Sequence, residues 1–154
     1  PDNYEVGHLF SGDGGLAGLA GLGVIAQNGR EGGAYSGITN PVGDRFAVDY
    51  VAHEIGHQFR GNHTFNTSSD PNRNAATAYE PGSGSTIMAY AGITGANSDL
   101  QNNSDPYFHS VSFDEIVNFV DNLIPAVGTR TATGNAVPAV SAGPDYTVPA
   151  NTPF

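Results

Sequence analysis

Three of the five histidines in this 154-residue chain fall in one short stretch, His53-Glu54-Ile55-Gly56-His57-Gln58-Phe59-Arg60-Gly61-Asn62-His63. On a helix, residues four apart lie about 40° from one another, so His53 and His57 project from one face, one turn apart. Two imidazoles so placed can share one Zn²⁺ at about 2.0–2.1 Å. Glu54 emerges to the side, where its carboxylate can address a water without being a ligand. His63 cannot reach the same ion from the same helix, so the chain must turn sharply before it. Gly61 and Asn62 are both types that tolerate positive φ, which such a turn asks for. Three neutral nitrogens leave a fourth position open, the mark of a catalytic rather than a structural zinc. The competing readings are a surface helix with exposed histidines and a structural zinc beside an idle Glu54.

Such a centre needs a helix, a turn and a wall, and the periodicities supply candidates for each. Residues 44–59 read as a helix with Asp44 or Asp49 near its start. Val48, Val51, Ala52 and Ile55 form a core-facing stripe at i, i+3, i+4 and i+7, and Gly61 marks the stop. Before the helix, Tyr4–Phe10 alternates as a strand and Leu19–Gln27 is a second apolar strand, separated by a glycine turn over 12–15. Asn28-Gly29 and Gly32-Gly33 mark turns, followed by a loop over 36–43. A long Gly/Ser/Asn-rich stretch over 66–103 carries one apolar island, Thr86–Tyr90. Ser112 with Glu115 predicts a capping box opening a final helix through Ile116, Phe119 and Leu123, stopped by Pro125. The expected class is α+β: a short sheet, an active-site helix and a C-terminal helix within residues 1–125. Residues 126–142 read as a linker and 143–154 as the stub of a following β-rich, Ig-like domain, or as a strand packed on this one.

Composition removes several functions. All five cations are Arg against 15 Asp and Glu, a formal charge of −10. That balance argues against nucleic acid and against anionic membrane surfaces. The most apolar run, 14–26, is too short to span a bilayer, so no membrane insertion is expected. With no Cys, disulfides, thiol catalysis and thiolate metal sites are excluded. Pro1 in place of Met implies removal of something upstream. Absent Lys and Cys, with abundant Asn, Gly and Ser, point to a bacterial exported protein, secreted or held at the cell surface.

The motif resembles that of the metzincin zinc endopeptidases, H-E-x-x-H-x-x-G-x-x-H followed by a Met-turn. Ser85-Thr86-Ile87-Met88-Ala89-Tyr90 looks like that turn, and Met88 is the only Met in the chain. The resemblance implies that Met88 forms a hydrophobic floor beneath the ligands. The Met-x-Tyr form is similar to astacins and serralysins, which implies that Tyr90 can coordinate zinc and swing to support the transition state. A core tyrosine with a satisfied hydroxyl is the alternative. His63-Thr64-Phe65 is closer to pappalysins. Residues 4–10 and 17–24 resemble the edge strand and next strand of reprolysin (adamalysin-like) domains. The likeness to bacterial reprolysin-like metzincins runs from about residue 4 to 124. It implies a zinc-dependent endopeptidase acting on polypeptides, with Glu54 as general base and substrate paired antiparallel along His8, Leu9 and Phe10.

Two departures from the family pattern stand out. Arg60 occupies the family glycine position, which costs about 1 kcal/mol unless the turn is rebuilt around Gly61. Only about 50 residues precede His53, where metzincins carry a strand, a long helix and further strands. The N-terminal part of the same domain is therefore an expected partner. The rival function is an inactive zinc-binding module of a larger adhesion or assembly protein. Ca²⁺ is a further candidate cofactor at residues 70–74, 97–99 and 102–105, against solvated turns. Gly12-Asp13-Gly14-Gly15-Leu16-Ala17 fits a dinucleotide fingerprint but lacks the helix that would confirm it. His109 reads as structural or surface, and so, apart from its place on the expected edge strand, does His8.

Overall fold

The computed structural model describes residues 4–13, 17–68, 70–125 and 127–151. The expected glycine turn and the dinucleotide match both run through Gly14–Leu16, outside the described residues, as are Pro1 and 152–154 of the expected stub.

Glycine breaks the N-terminal region into pieces shorter than its hydrophobic pattern. β1 (Leu9–Ser11), β2 (Gly18–Ala20) and β3 (Ala34–Gly37) form a sheet of order β1-β3-β2. β1 runs parallel to β3, and β2 runs antiparallel to it. The strand expected over 4–10 begins only at Leu9. The strand expected over 19–27 stops at Ala20, because Gly23 takes a left-handed φ of 62° and the chain turns there. Val24 and Ile25 are still core residues, buried from within a turn. The central strand falls where the sequence reads as turn and loop. β3 is covered on both faces except at the half-buried Tyr35, so it carries no alternation to reveal it.

The helical stretch forms where expected but in two windings. Arg45–Ala52 is π-helical and passes without a break into α1 (His53–Gln58). Asp44 makes no side-chain cap. α1 packs on β2 and β3, whereas Val48, Val51, Ala52 and Ile55 are only half-buried. A polar bridge ties the helix end to the sheet. Buried Gln58 accepts from His8 Nδ1 at 2.9 Å and donates to the Gly7 carbonyl at 2.9 Å. The other His8 nitrogen meets Ser36 Oγ on β3 at 2.9 Å.

The end of α1 is a Schellman motif. The Gly61 N–H donates to the Gly56 carbonyl and the Arg60 N–H to the His57 carbonyl, both at 2.8 Å. Arg60, not Gly61, takes the left-handed conformation this motif needs, with φ 74°. The turn is therefore not rebuilt around the glycine. An L residue carries the strain, while the Arg60 stem packs close to Gly23.

The last helix, α2 (Ser110–Asn118), continues into a π-helical turn over Phe119–Leu123. It is capped by His109, whose Nδ1 accepts the Val111 N–H at 3.2 Å. The expected capping box is not formed: Ser112 is buried inside the first turn and Glu115 faces a different partner. The described residues of 127–151 are exposed, apart from half-buried Val127, and form no strand. Their ion pair, Arg130 to Asp121 at 2.6 Å, lies in solvent and contributes little. No helix among the described residues is long and apolar enough to cross a membrane.

Replacing Arg60 with Gly should raise the stability of the zinc-free protein by about 1 kcal/mol, read as a higher urea midpoint at unchanged slope. A lower midpoint would mean that packing of the Arg60 stem outweighs the backbone strain.

Candidate active site

The helix, the Schellman turn and the chain beyond it bring three imidazoles to one point. Nε2 of His63 lies 3.2 Å from Nε2 of His53 and 3.0 Å from Nε2 of His57. On the far side of each ring, Nδ1 meets a main-chain carbonyl: His53 that of Ile87 at 2.7 Å, His57 that of Gly61 at 2.7 Å, and His63 that of Asn72 at 2.8 Å. A carbonyl only accepts, so each Nδ1 carries the proton and each neutral ring turns a bare lone pair inward. All three lone pairs lie within 4.8 Å of one another, two of the separations near 3 Å, and with no proton to share they repel unless a cation lies between them. Ligands at about 2.0–2.1 Å on tetrahedral directions stand about 3.3 Å apart, so the donor set fits a Zn²⁺ ion.

Electrostatics keep these rings neutral. Burial, then the neighbouring imidazoles, hold His53 well below its ordinary value despite the opposing Ile87 carbonyl. Burial and His63 push His57 down to about 4. Burial lowers His63, with the Asn72 carbonyl and Asp70 opposing. At neutral pH the cation would displace no ring protons.

The loop that carries Met88 packs against the histidine-bearing helix. Met88 is 0% exposed, and its Sδ lies so near Gly56 that a side chain there would collide with it. The Met88 carbonyl accepts the Thr64 N–H at 3.1 Å, so the residue after the third histidine is tied to the same loop that orients the first. Glu80 fastens this junction. Its carboxylate accepts from the Thr64 hydroxyl, the Thr86 hydroxyl at 2.6 Å, and the Ser85 and Thr86 N–H groups at 2.9 and 3.0 Å. Burial alone would raise its pKa, but these four donors outweigh burial and hold it low. Glu115 fixes the turn from above, accepting both the main-chain and side-chain N–H of Asn62 at 2.8 and 2.6 Å.

Glu54 and Tyr90 line the same cleft as the three histidines. Glu54 is buried, which raises its carboxyl to about 7, and it rests against Gly18 of β2 so closely that any side chain at Gly18 would strike Oε1. The Tyr90 ring lies 4.5 Å from His63 and stacks on Phe65 at 4.4 Å. Burial, then the charges of Asp70 and Glu54, push its phenol up to about 12, while the nearby Asn72 side chain pulls the other way. Two pockets open beside these groups. One, about 320 Å³, runs along the π-helical segment past Asp49 and Tyr50 towards Ile93. The other, about 340 Å³, runs between β2 and Asn62–His63.

His53, His57, His63, Glu54, Met88 and Tyr90 thus come together, and the expected substrate strand does not. β1 is separated from β2 by β3, and neither pocket is lined by His8, Leu9 or Phe10. Gly18, Leu19 and Ala20 of β2 line the cleft instead. β1 pairs parallel to β3, on the side of that strand away from β2. His109 caps α2 and stacks on Tyr79 at 5.8 Å.

The carboxylates considered for calcium close turns. Asp70 holds the Asn72 N–H, Asp99 holds Thr94 and Gly95, and Asp105 holds the Tyr107 hydroxyl. Among the described residues the three histidines are the only cluster of three or more such side chains suited to a metal. Glu80, Asn72 and Gln58 were not anticipated. Glu80 carried a signal, being the one acidic residue between Asp70 and Asp99.

No match was found among curated proteins. Residues 1–116 match the family described as Metallo-peptidase family M12B Reprolysin-like. Because that match takes in most of the chain, the whole three-histidine turn and the Met88 loop with it, the chain belongs to the reprolysin-like metallopeptidase family M12B.

Proposed function

We propose that the chain is a zinc-dependent endopeptidase that cleaves polypeptides, with Glu54 as general base. The observation that carries this is the convergence of three unprotonated Nε2 atoms in a cleft also lined by the buried Glu54, whose carboxylate is not one of the three. His53, His57 and His63 would hold a Zn²⁺ ion, which would supply Lewis acidity for the scissile carbonyl and for lowering the pKa of a water. Glu54 accepts a proton from the attacking water and returns it to the leaving amine. The Tyr90 hydroxyl donates to the substrate oxygen as that atom gains charge.

Substrate lies along β2. The Ala17 carbonyl and the Gly21 N–H bond towards β3, to Gly37 and Gly33. By the alternation of an antiparallel ladder, the main-chain groups of Gly18 and Ala20 therefore face the open edge. An extended peptide adds there as a further strand, and the two pockets take side chains on either side of the cleaved bond. Export from a bacterial cell, and completion of the domain by a further N-terminal part, accompany this reading. The half-buried stripe of Val48 and Val51 favours a second one, a zinc-holding module without turnover.

One equivalent of zinc should raise the melting temperature, and His63→Ala should abolish that rise, since zinc bound to the native state stabilises it by mass action. An unchanged metal content in that variant would show that the third ligand is misassigned. Glu54→Gln should keep zinc yet lower cleavage of a quenched peptide by about 10²-fold or more. Zinc uptake without chelator-sensitive cleavage in the parent would favour the module. Ala20→Pro, which removes an N–H from the open edge, should raise KM by about three- to tenfold with zinc content unchanged. An unaltered KM would move the substrate off β2.

A further inference from the structure

Arg45 is the only arginine that lines either pocket of the cleft, and the chain has no Lys. It is exposed, and with Ala17 and Tyr50 it also borders a neighbouring recess of about 460 Å³. A guanidinium carries five N–H donors and no acceptor. Among the described residues the Arg45 side chain makes no hydrogen bond and no ion pair. The acceptor closest to it in sequence is already engaged. Asp49, four residues on, lines the same pocket and attracts Arg45. Its carboxylate, however, clips the loop opposite. Oδ1 accepts the Ser104 N–H at 2.7 Å, and Asn103, with its amide nitrogen turned inward, donates to Oδ2 at 3.1 Å. That loop is pressed against Gly92 so closely that a side chain there would strike the Asn102 carbonyl. The clip thus fixes the pocket wall formed by Asn102 and Ser104 and screens the Asp49 charge. The arginine's donors stay open. The other pocket has no such group, and Leu19, Leu22, Asn62 and Asn74 give it an uncharged lining beside the centre.

We propose that the pocket bordered by Arg45 selects an acidic side chain of the substrate peptide, held through the open guanidinium, and that the pocket beside β2 takes uncharged ones. A carboxylate matches the planar fork of a guanidinium with two parallel hydrogen bonds, which neither an amide nor an ammonium group can do. Cleavage of such peptides rests on the peptidase reading above, to which this adds the class of sequence recognised.

The test uses the zinc-loaded full chain and peptides whose central bond is reduced to a methylene-amine, so that binding is read without hydrolysis. One set carries Glu, Gln or Lys on the amino side of that bond, and the other carries it on the carboxyl side. On one side only, Glu should bind about three- to tenfold tighter than Gln, with Lys weakest. Arg45→Ala should bring Glu and Gln within about twofold, and Arg45→Glu should favour Lys, with zinc content and affinity for the Gln peptide held. Equal affinity for Glu and Gln on both sides, a preference that survives Arg45→Ala, an equal loss for all three side chains in that variant, or no binding of any peptide would each overturn the proposal. With an ordinary peptide bond, the Glu peptide should be cleaved with the lowest KM. Preference in binding without cleavage would remove only the peptidase reading, and cleavage without preference only the selectivity.

Discussion

Everything in this centre depends on three hydrogen bonds that point away from it. Each imidazole donates its Nδ1–H to a carbonyl, and only for that reason do three lone pairs face one another. In the folded chain those nitrogens stand 3.0 and 3.2 Å apart along the two closest edges, an arrangement that is unfavourable by itself. The surrounding structure tolerates it because the carbonyls of Ile87, Gly61 and Asn72 leave the rings little rotation. The preference for a cation is thus written into the main chain as much as into the histidines.

Those carbonyls are held by features with no chemistry of their own. Gly61 is placed by the Schellman turn and by Glu115 on Asn62. Ile87 is placed by the loop that Glu80 and Met88 lock to Thr64. Asn72 is placed by its turn with Asp70. Glu80 is the most economical of these: one buried carboxylate satisfies four donors from two strands of loop, replacing the ladder that a region poor in strands lacks.

How much of this could be read beforehand follows from where the information lies along the chain. The helix over 44–59, the pairing of His53 with His57, and the return of His63 after a turn are local in sequence, so spacing alone identified them. Met88 and Tyr90 were found because a family resemblance gave their loop a meaning; nothing local places Ile87 over His53. β3 stayed hidden because glycines bracket it and both faces are covered. The strand that borders the cleft was hard to read for a related reason: β1 and β2 are equally short and apolar, and which one lies there depends on how each pairs with β3. Arg60 was recognised as a misfit at its position, and the choice between strain and rebuilding depended on a φ angle that composition does not encode.

The contact between Gly56 and Met88 has a consequence for oxidants. The thioether is sealed against bare helix backbone on the turn that bears both His53 and His57. A sulfoxide oxygen would need room that the site does not have. The sole sulfur atom of the molecule is thereby shielded while the helix stays seated, and it becomes vulnerable once the loop lifts. Peroxide damage would therefore accumulate in proportion to time spent open, making the methionine a chemical clock of local unfolding beneath the histidines.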